Sequence, residues 1–160
     1  MVSRVFSAGL SGIDGYIVTV ECFLSGGLPR LDVVGLPTGA VSEAGERVRA
    51  AAKACAFDWP VSRLTVNLAP ADTKKAGTAY DLPLLLSILA AAGEIDAPPD
   101  NALFFGELSL TGELRPVCGA LSMALAARDA GFKTVFVPAM NAAEASYASG
   151  VTVFPIRTLN

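Results

Sequence analysis

The sequence predicts a mixed α/β domain, in which antiparallel strands come first and helices then alternate with strands in one sheet. Two segments near the start, Ser3–Leu10 and Tyr16–Leu24, alternate apolar with other residues, which is typical of β-strands. From Thr38 onward, apolar residues recur every three or four positions, as on one face of a helix. Strand-like and helix-like segments then follow each other to the end, which favours a sheet covered by helices.

A third strand is predicted over Gly26–Pro37, because turn residues open and close that segment. The first three strands therefore suggest an antiparallel meander. In the helix that follows, Glu43 and Arg47 have the spacing that favours an ion pair. The apolar face of this helix consists of Val41, Ala44, Val48, Ala52 and Cys55.

A buried strand is predicted over Arg63–Pro70, followed by a central helix over Leu82–Ala92 that is too short to span a bilayer. Asp81 is predicted as the N-cap of that helix, and Pro83 suits its first turn. After the central helix, a hairpin turn is predicted at Thr111–Gly112, a helix over Ala120–Ala130 and a strand over Lys133–Pro138. A short helix then follows, which begins with a capping box of Asn141 and Glu144. The last predicted element is a strand over Val151–Ile156.

The composition excludes several classes of protein. Hydrophobic residues make up 52% of the chain and charged residues 17%, which excludes a disordered chain, and the net charge of -3 argues against coating nucleic acid by charge alone. The absence of histidine removes Ser-His-Asp and Cys-His catalysis. Three separated cysteines and a start that lacks the pattern of a signal peptide predict reduced thiols in the cytoplasm. Without a Gly-Lys pair there is no phosphate-binding loop, so no nucleotide is predicted in this chain. No metal site is predicted either, because histidine and a calcium-binding loop are absent and the three cysteines are scattered.

The segment Pro70–Leu86 is the strongest candidate for a functional site, since it joins a strand to the central helix. Lys74 and Lys75 are adjacent basic residues in it, and together with Arg115 they are candidates for contact with a nucleic-acid phosphate or an acidic partner. The alternative is that both lysines are solvated residues of a surface loop. Asp72, Asp81 and Glu107 lie near the ends of elements and do not predict an acid–base pair.

Five segments carry a family resemblance: "GLSGIDGYIVTV", "RVRAAAKACAFDWP", "RLTVNLAPADTKKAGTAYDLP", "FFGELSLTGELRPVCGAL" and "VFVPAMNAAEA". Together they resemble the N-terminal domain of the YifB/ComM family, which are bacterial magnesium-chelatase-like AAA+ ATPases. The resemblance covers nearly the whole chain. It implies one Lon-like domain over residues 1–160, with the AAA+ ATPase domain expected after residue 160.

The resemblance also implies the fold of the Lon proteolytic domain, whose peptidase chemistry uses a serine and a lysine. The matching positions here are Ala79 and Leu121, neither of which has a reactive atom. A shift of the register by one residue places Thr78 at the nucleophile position. The resemblance therefore implies a Lon-like fold without peptidase activity. A peptidase with a displaced dyad, formed by Thr78 with Lys74 or Lys75, is the alternative.

What the resemblance implies for function concerns a longer protein. ATP, magnesium and assembly into a hexamer would belong to the AAA+ domain, and ComM-type proteins are linked to branch migration of DNA in natural transformation and recombination. This domain is then expected to dock on its own AAA+ domain and to support ring assembly or guide DNA. A scaffold that binds protein through an exposed apolar patch is a further hypothesis.

Overall fold

The chain forms nine strands and four α-helices in a computed structural model that describes Met1–Asn160 throughout. The strands are β1 (Val2–Ser11), β2 (Asp14–Ser25), β3 (Arg30–Val34), β4 (Arg63–Ala69), β5 (Ala102–Phe104), β6 (Glu107–Leu108), β7 (Leu114–Arg115), β8 (Thr134–Pro138) and β9 (Thr152–Ile156). The helices are α1 (Ala44–Ala54), α2 (Asp81–Ala92), α3 (Ala120–Asp129) and α4 (Ala142–Ala145). The predicted mixed α/β class is confirmed.

Seven of the strands form one mixed sheet in the order β3-β4-β2-β1-β5-β8-β9. β1 and β2 form the predicted antiparallel hairpin. The predicted meander of three strands is wrong, because β3 pairs in parallel with β4, and β4 separates it from β2. The reason is that α1 connects β3 to β4, and a helical crossover places the strands that it joins parallel to each other.

The sheet has a hydrophobic core on each face. One core contains the buried apolar residues of α1 and α2, and the other contains those of α3 and α4. β1 contributes Val5 to the first core and Ala8 to the second, since side chains alternate along a strand. The prediction that α2 is central is confirmed, with nine of its twelve residues buried. No helix of the chain combines the length and the apolar character needed to cross a membrane.

β6 and β7 form a separate hairpin that is attached to the start of α2. Its turn includes Thr111 and Gly112, as predicted. Just before the hairpin, Gly106 donates its N–H to the Ala79 carbonyl at 2.9 Å and accepts the Leu82 N–H at 3.0 Å. These two bonds fix the hairpin beside the loop that precedes α2.

Two predicted local interactions are replaced by contacts between distant parts of the chain. Arg47 makes no ion pair with Glu43 and binds Asp81 instead. The predicted capping box is also wrong: Asn141 binds both backbone groups of Val117, at 2.9 and 3.0 Å, and Glu144 accepts the Leu121 N–H at 2.9 Å. Spacing along one helix cannot reveal partners that other elements supply.

Candidate functional site

The candidate loop, residues 70–80, joins β4 to α2 and is anchored by backbone hydrogen bonds at two points. At its centre, the Lys75 N–H donates to the Leu36 carbonyl at 3.0 Å. The Thr38 N–H and the Thr38 hydroxyl each donate to the Lys75 carbonyl at 2.9 Å. At its end, Ala79 is joined to Gly106. Both anchors come from segments far away in sequence, so tertiary packing determines the shape of the loop.

The two lysines of the loop have different surroundings. Lys74 is exposed, and its carbonyl accepts the Tyr16 hydroxyl at 3.3 Å. Lys75 has 0% exposure, and its Nζ has no hydrogen-bond partner. Burial lowers the pKa of Lys75 below the usual lysine value, although Asp72 opposes this shift. The expectation that both lysines lie at the surface is therefore wrong for Lys75, and a partner contact by Lys74 stays a prediction.

The two positions matched to the Lon dyad, Ala79 and Leu121, pack against the same hydrophobic core. Both are partly buried and lie at the margin of the core beneath α3 and α4. Each side chain is a hydrocarbon, which can neither attack a carbonyl nor accept a proton. The structure thus brings the two positions to one region of the fold, and both side chains there are apolar.

Thr78 is bound to a carboxylate. Its hydroxyl donates to Oε2 of Glu107 at 2.6 Å. Oε1 of Glu107 lies 3.9 Å from Nη1 of Arg115, whose side chain is 62% exposed. Because Nζ of Lys75 has no partner, it does not activate the Thr78 hydroxyl, and the alternative dyad with Lys75 is not formed. Glu107 lies opposite Arg115 in the β6–β7 hairpin, so the exposed Arg115 is next to the carboxylate that binds Thr78.

Asp81 forms a buried ion pair and does not act as the predicted N-cap. It is the first residue of α2, and Tyr80 occupies the cap position. Asp81 is 1% exposed and accepts hydrogen bonds from Nε and Nη2 of Arg47, at 2.8 and 2.9 Å, and from the Leu108 N–H at 3.1 Å. The hydrogen bond to Asp81 raises the pKa of Arg47, against the opposing effect of burial. This pair joins α1, α2 and β6 at the base of the loop.

Sequence reasoning missed the pairing of Arg47 with Asp81 and two tyrosines, Tyr80 at the end of the loop and Tyr16 in contact with it. Tyr80 is 2% exposed, and burial, together with the nearby hydroxyl of Tyr16, raises its pKa. A methyl group at Gly9 would overlap the Tyr80 hydroxyl and touch the Tyr16 ring. The absence of a side chain at Gly9 therefore makes room for both phenols. No periodicity marks these residues, since they meet only through strand pairing and the docking of α2.

Comparison with known proteins shows the family to which this chain belongs. The model of the family described as subunit ChlI of Mg-chelatase matches residues 20–141, which is most of the chain, and the chain belongs to this family. The chain is 41% identical over 156 residues to the competence protein ComM of Haemophilus influenzae, which covers 97% of the chain. It is 42% identical over 135 residues to the protein YifB of Escherichia coli, which covers 84% of the chain. The resemblance to the YifB/ComM family is therefore confirmed.

The chain corresponds to a part of these longer relatives. An uncharacterized protein of Mycobacterium tuberculosis is 43% identical over 159 residues, which is 99% of this chain but 32% of that protein. For ComM and YifB the matched share of the relative is 30% and 27%. The chain thus spans between about a quarter and a third of the length of these curated relatives.

Proposed function

We propose that the chain is a non-catalytic N-terminal module of a ComM/YifB-type AAA+ ATPase that engages DNA during recombination. The observation that carries the proposal is the loop before α2. By the family resemblance, this loop corresponds to the active-site loop of Lon. Ala79 in the loop and Leu121 in α3 have hydrocarbon side chains, and the exposed cations are Lys74 in the loop and Arg115 in β7. The similarity to ComM, a competence protein by name, supports a role in the uptake or exchange of DNA.

The proposed DNA contacts are Lys74 and Arg115. Both side chains are exposed, and Arg115 has only a long contact with Glu107, at 3.9 Å. Exposed cations that are weakly paired are suited to bind phosphates, because they lose little when they exchange one anion for another. Thr78 connects the surroundings of these two cations. It lies in the same loop as Lys74, and its hydroxyl binds the carboxylate of Glu107, which is next to Arg115.

ATP hydrolysis and magnesium binding are assigned in this proposal to the remaining part of the longer protein, and so is the drive for hexamer formation. The chain itself has no Gly-Lys pair of a phosphate-binding loop. The module would then dock on its own ATPase domain in a homo-oligomeric ring. In that arrangement it would position DNA for branch migration in natural transformation.

Fluorescence anisotropy with labelled single-stranded and forked DNA tests the proposal. The wild-type chain is compared with Lys74→Glu/Arg115→Glu at 20 and at 150 mM salt. We expect binding that weakens with salt and falls at least tenfold in the double variant. The matched control is Arg49→Glu/Lys133→Glu, which makes the same change in net charge at exposed positions away from the loop.

Equal loss in the control pair would show that overall charge, and not the loop, determines binding. No binding of the wild-type chain at 20 mM salt would overturn the DNA contact. Ring assembly would then be the function to test, by native mass spectrometry of the full-length protein with and without this domain.

A further inference from the structure

A cleft of about 680 Å³ lies beside β3, the terminal strand at one edge of the sheet. β9 is the terminal strand at the opposite edge. β3, α1 and the segment that leads from α1 to β4 line the cleft, which is open to solvent. Its volume is in the range of ligand sites in proteins. The loop before α2 contributes no residue to the lining. The cleft is therefore separate from the proposed DNA contacts.

The strand that borders the cleft has a free backbone edge. β3 is the terminal strand of the sheet, and β4 is its one neighbour. None of the backbone hydrogen bonds in turns and loops involves residues 30–34, so the outward N–H and C=O groups of β3 have no partner within the chain. Such an edge is suited to accept another strand.

The opposite edge of the sheet differs, because a proline protects it. The Thr152 N–H donates to the Lys133 carbonyl. The backbone N–H and C=O groups of every second residue from Thr152 therefore point toward β8, and those of the residues between them point away from the sheet. Pro155 is one of the outward residues and is exposed. It has no N–H to donate, which disfavours the addition of a strand to β9. β3 contains no proline between Arg30 and Val34.

The floor of the cleft is apolar and incompletely covered. Leu31 and Val33 of β3, with Phe57 and Trp59, are partly buried and line the cleft. Leu31 and Val33 are two residues apart and so lie on the same face of the strand. An added strand with apolar side chains at alternate positions would cover these four side chains.

Charges are separated along the rim of the cleft. Glu43 and Glu46 lie at the start of α1, and Arg49 and Lys53 lie in its second half. Arg30 adds a third cation to the lining, although it is paired with Asp32 at 2.8 Å. Asp58 is the acidic residue of the segment that follows α1. The rim thus has an acidic end and an end at which cations outnumber anions.

We propose that the cleft binds an extended peptide as an additional strand on β3, with an acidic residue at one end of the peptide, a basic residue at the other and apolar residues at alternate positions between them. The acidic end of the peptide lies near Arg49 and Lys53, and the basic end lies near Glu43. The backbone of β3 supplies the affinity, and the rim determines the direction of the peptide.

Trp59 is the one tryptophan of the chain and lines the cleft, so its fluorescence reports binding directly. The probes are two blocked peptides without aromatic residues, Asp-Asp-Val-Thr-Leu-Thr-Val-Lys-Lys and its reverse. The controls carry lysine at both ends or aspartate at both ends. We expect one of the two bipolar peptides to shift Trp59 emission and to bind at least tenfold more tightly than both controls.

Two versions of the binding peptide, each N-methylated at one alternate set of residues, test strand addition. In a strand bound to β3, one set of N–H groups faces β3 and the other faces solvent. We expect one methylated peptide to lose binding and the other to retain it. Equal behaviour of the two would overturn strand addition.

Arg49→Glu/Lys53→Glu is expected to reduce binding of the bipolar peptide at least tenfold, whereas Lys74→Glu/Lys133→Glu leaves it unchanged. The two pairs alter the net charge equally at exposed positions. No binding of either bipolar peptide at 1 mM would overturn the proposal. A dimer in sedimentation that Arg49→Glu/Lys53→Glu dissociates would also overturn it, because a second copy would then occupy the cleft.

Discussion

Arg47 and Asp81, 34 residues apart in sequence, form a two-point ion pair with N–O distances of 2.8 and 2.9 Å. The carboxylate is almost fully buried, whereas the side chain of Arg47 is 20% exposed. Two parallel N–H to oxygen bonds of this kind are typical of arginine paired with a carboxylate. The pair fixes the first residue of α2, and with it the end of the candidate loop.

Asp81→Asn is expected to lower the free energy of unfolding by about 3 kcal/mol, since it leaves the Arg47 guanidinium without its counter-charge. Urea unfolding measures this change. The control is Asp100→Asn, which removes a surface pair with Arg4 whose carboxylate is 72% exposed, and it should change stability by less than about 1 kcal/mol. Equal effects of the two substitutions would contradict a structural role for the buried pair.

Lys75→Met is expected to stabilise the chain by about 1–3 kcal/mol at pH 7, because it replaces a buried amine without a partner by an apolar chain of similar shape. Burial lowers the folded-state pKa of Lys75, so the unfolded state binds more protons just below the usual value of 10.5. Wild-type stability therefore rises with pH in that range, and the advantage of Lys75→Met should shrink there.

The exposed neighbour provides the control for this substitution. Lys74→Met should change the free energy of unfolding by less than about 0.5 kcal/mol at any pH in this range. If Lys75→Met were destabilising, the amine would have a favourable partner that the structure does not contain.

Thr78 is expected not to react with a fluorophosphonate probe directed at activated hydroxyls. Its hydroxyl is bound to Glu107 at 2.6 Å, and no lysine amine is hydrogen-bonded to it. Intact mass spectrometry after incubation checks this. A probe adduct that disappears in Thr78→Val would establish a reactive threonine and would support the peptidase hypothesis.

Gly9→Ala should destabilise the chain by about 1–3 kcal/mol, because the added methyl group would overlap the buried Tyr80 hydroxyl. Gly26→Ala is the matched control, since a Cβ there would have no atom within 4 Å. Thermal unfolding of the two variants compares their stabilities. Equal melting temperatures would mean that Tyr80 moves away at little cost.

The three cysteines should differ in their reaction with iodoacetamide at pH 8. Cys118 is exposed and should be modified first, and Cys22 should stay unmodified in the folded chain. Burial raises the pKa of Cys22 to about 11, which keeps it as the unreactive thiol. Peptide mapping by mass spectrometry checks this order, and in 8 M urea all three cysteines should react. Early modification of Cys22 would show that the hairpin of β1 and β2 opens readily.

Local patterns predicted most of the elements, because the spacing of apolar residues within a segment indicates whether that segment is a strand or a helix. The alternation in β1 and β2 correctly predicts two strands, and the apolar run of α2 correctly predicts a central helix. The pairing of β3 was not predicted correctly, since the same strand can pair with β2 or with β4 without any change in its own pattern.

The sequence by itself determined the class of fold, the family and the absence of reactive groups at Ala79 and Leu121, since residue identities and local periods carry that information. The tertiary structure decided that Lys75 is buried while Lys74 is exposed, that Arg47 binds Asp81, and that β3 has a free edge. These features depend on the packing of segments that are distant in sequence. Burial and hydrogen-bond partners arise only when such segments meet.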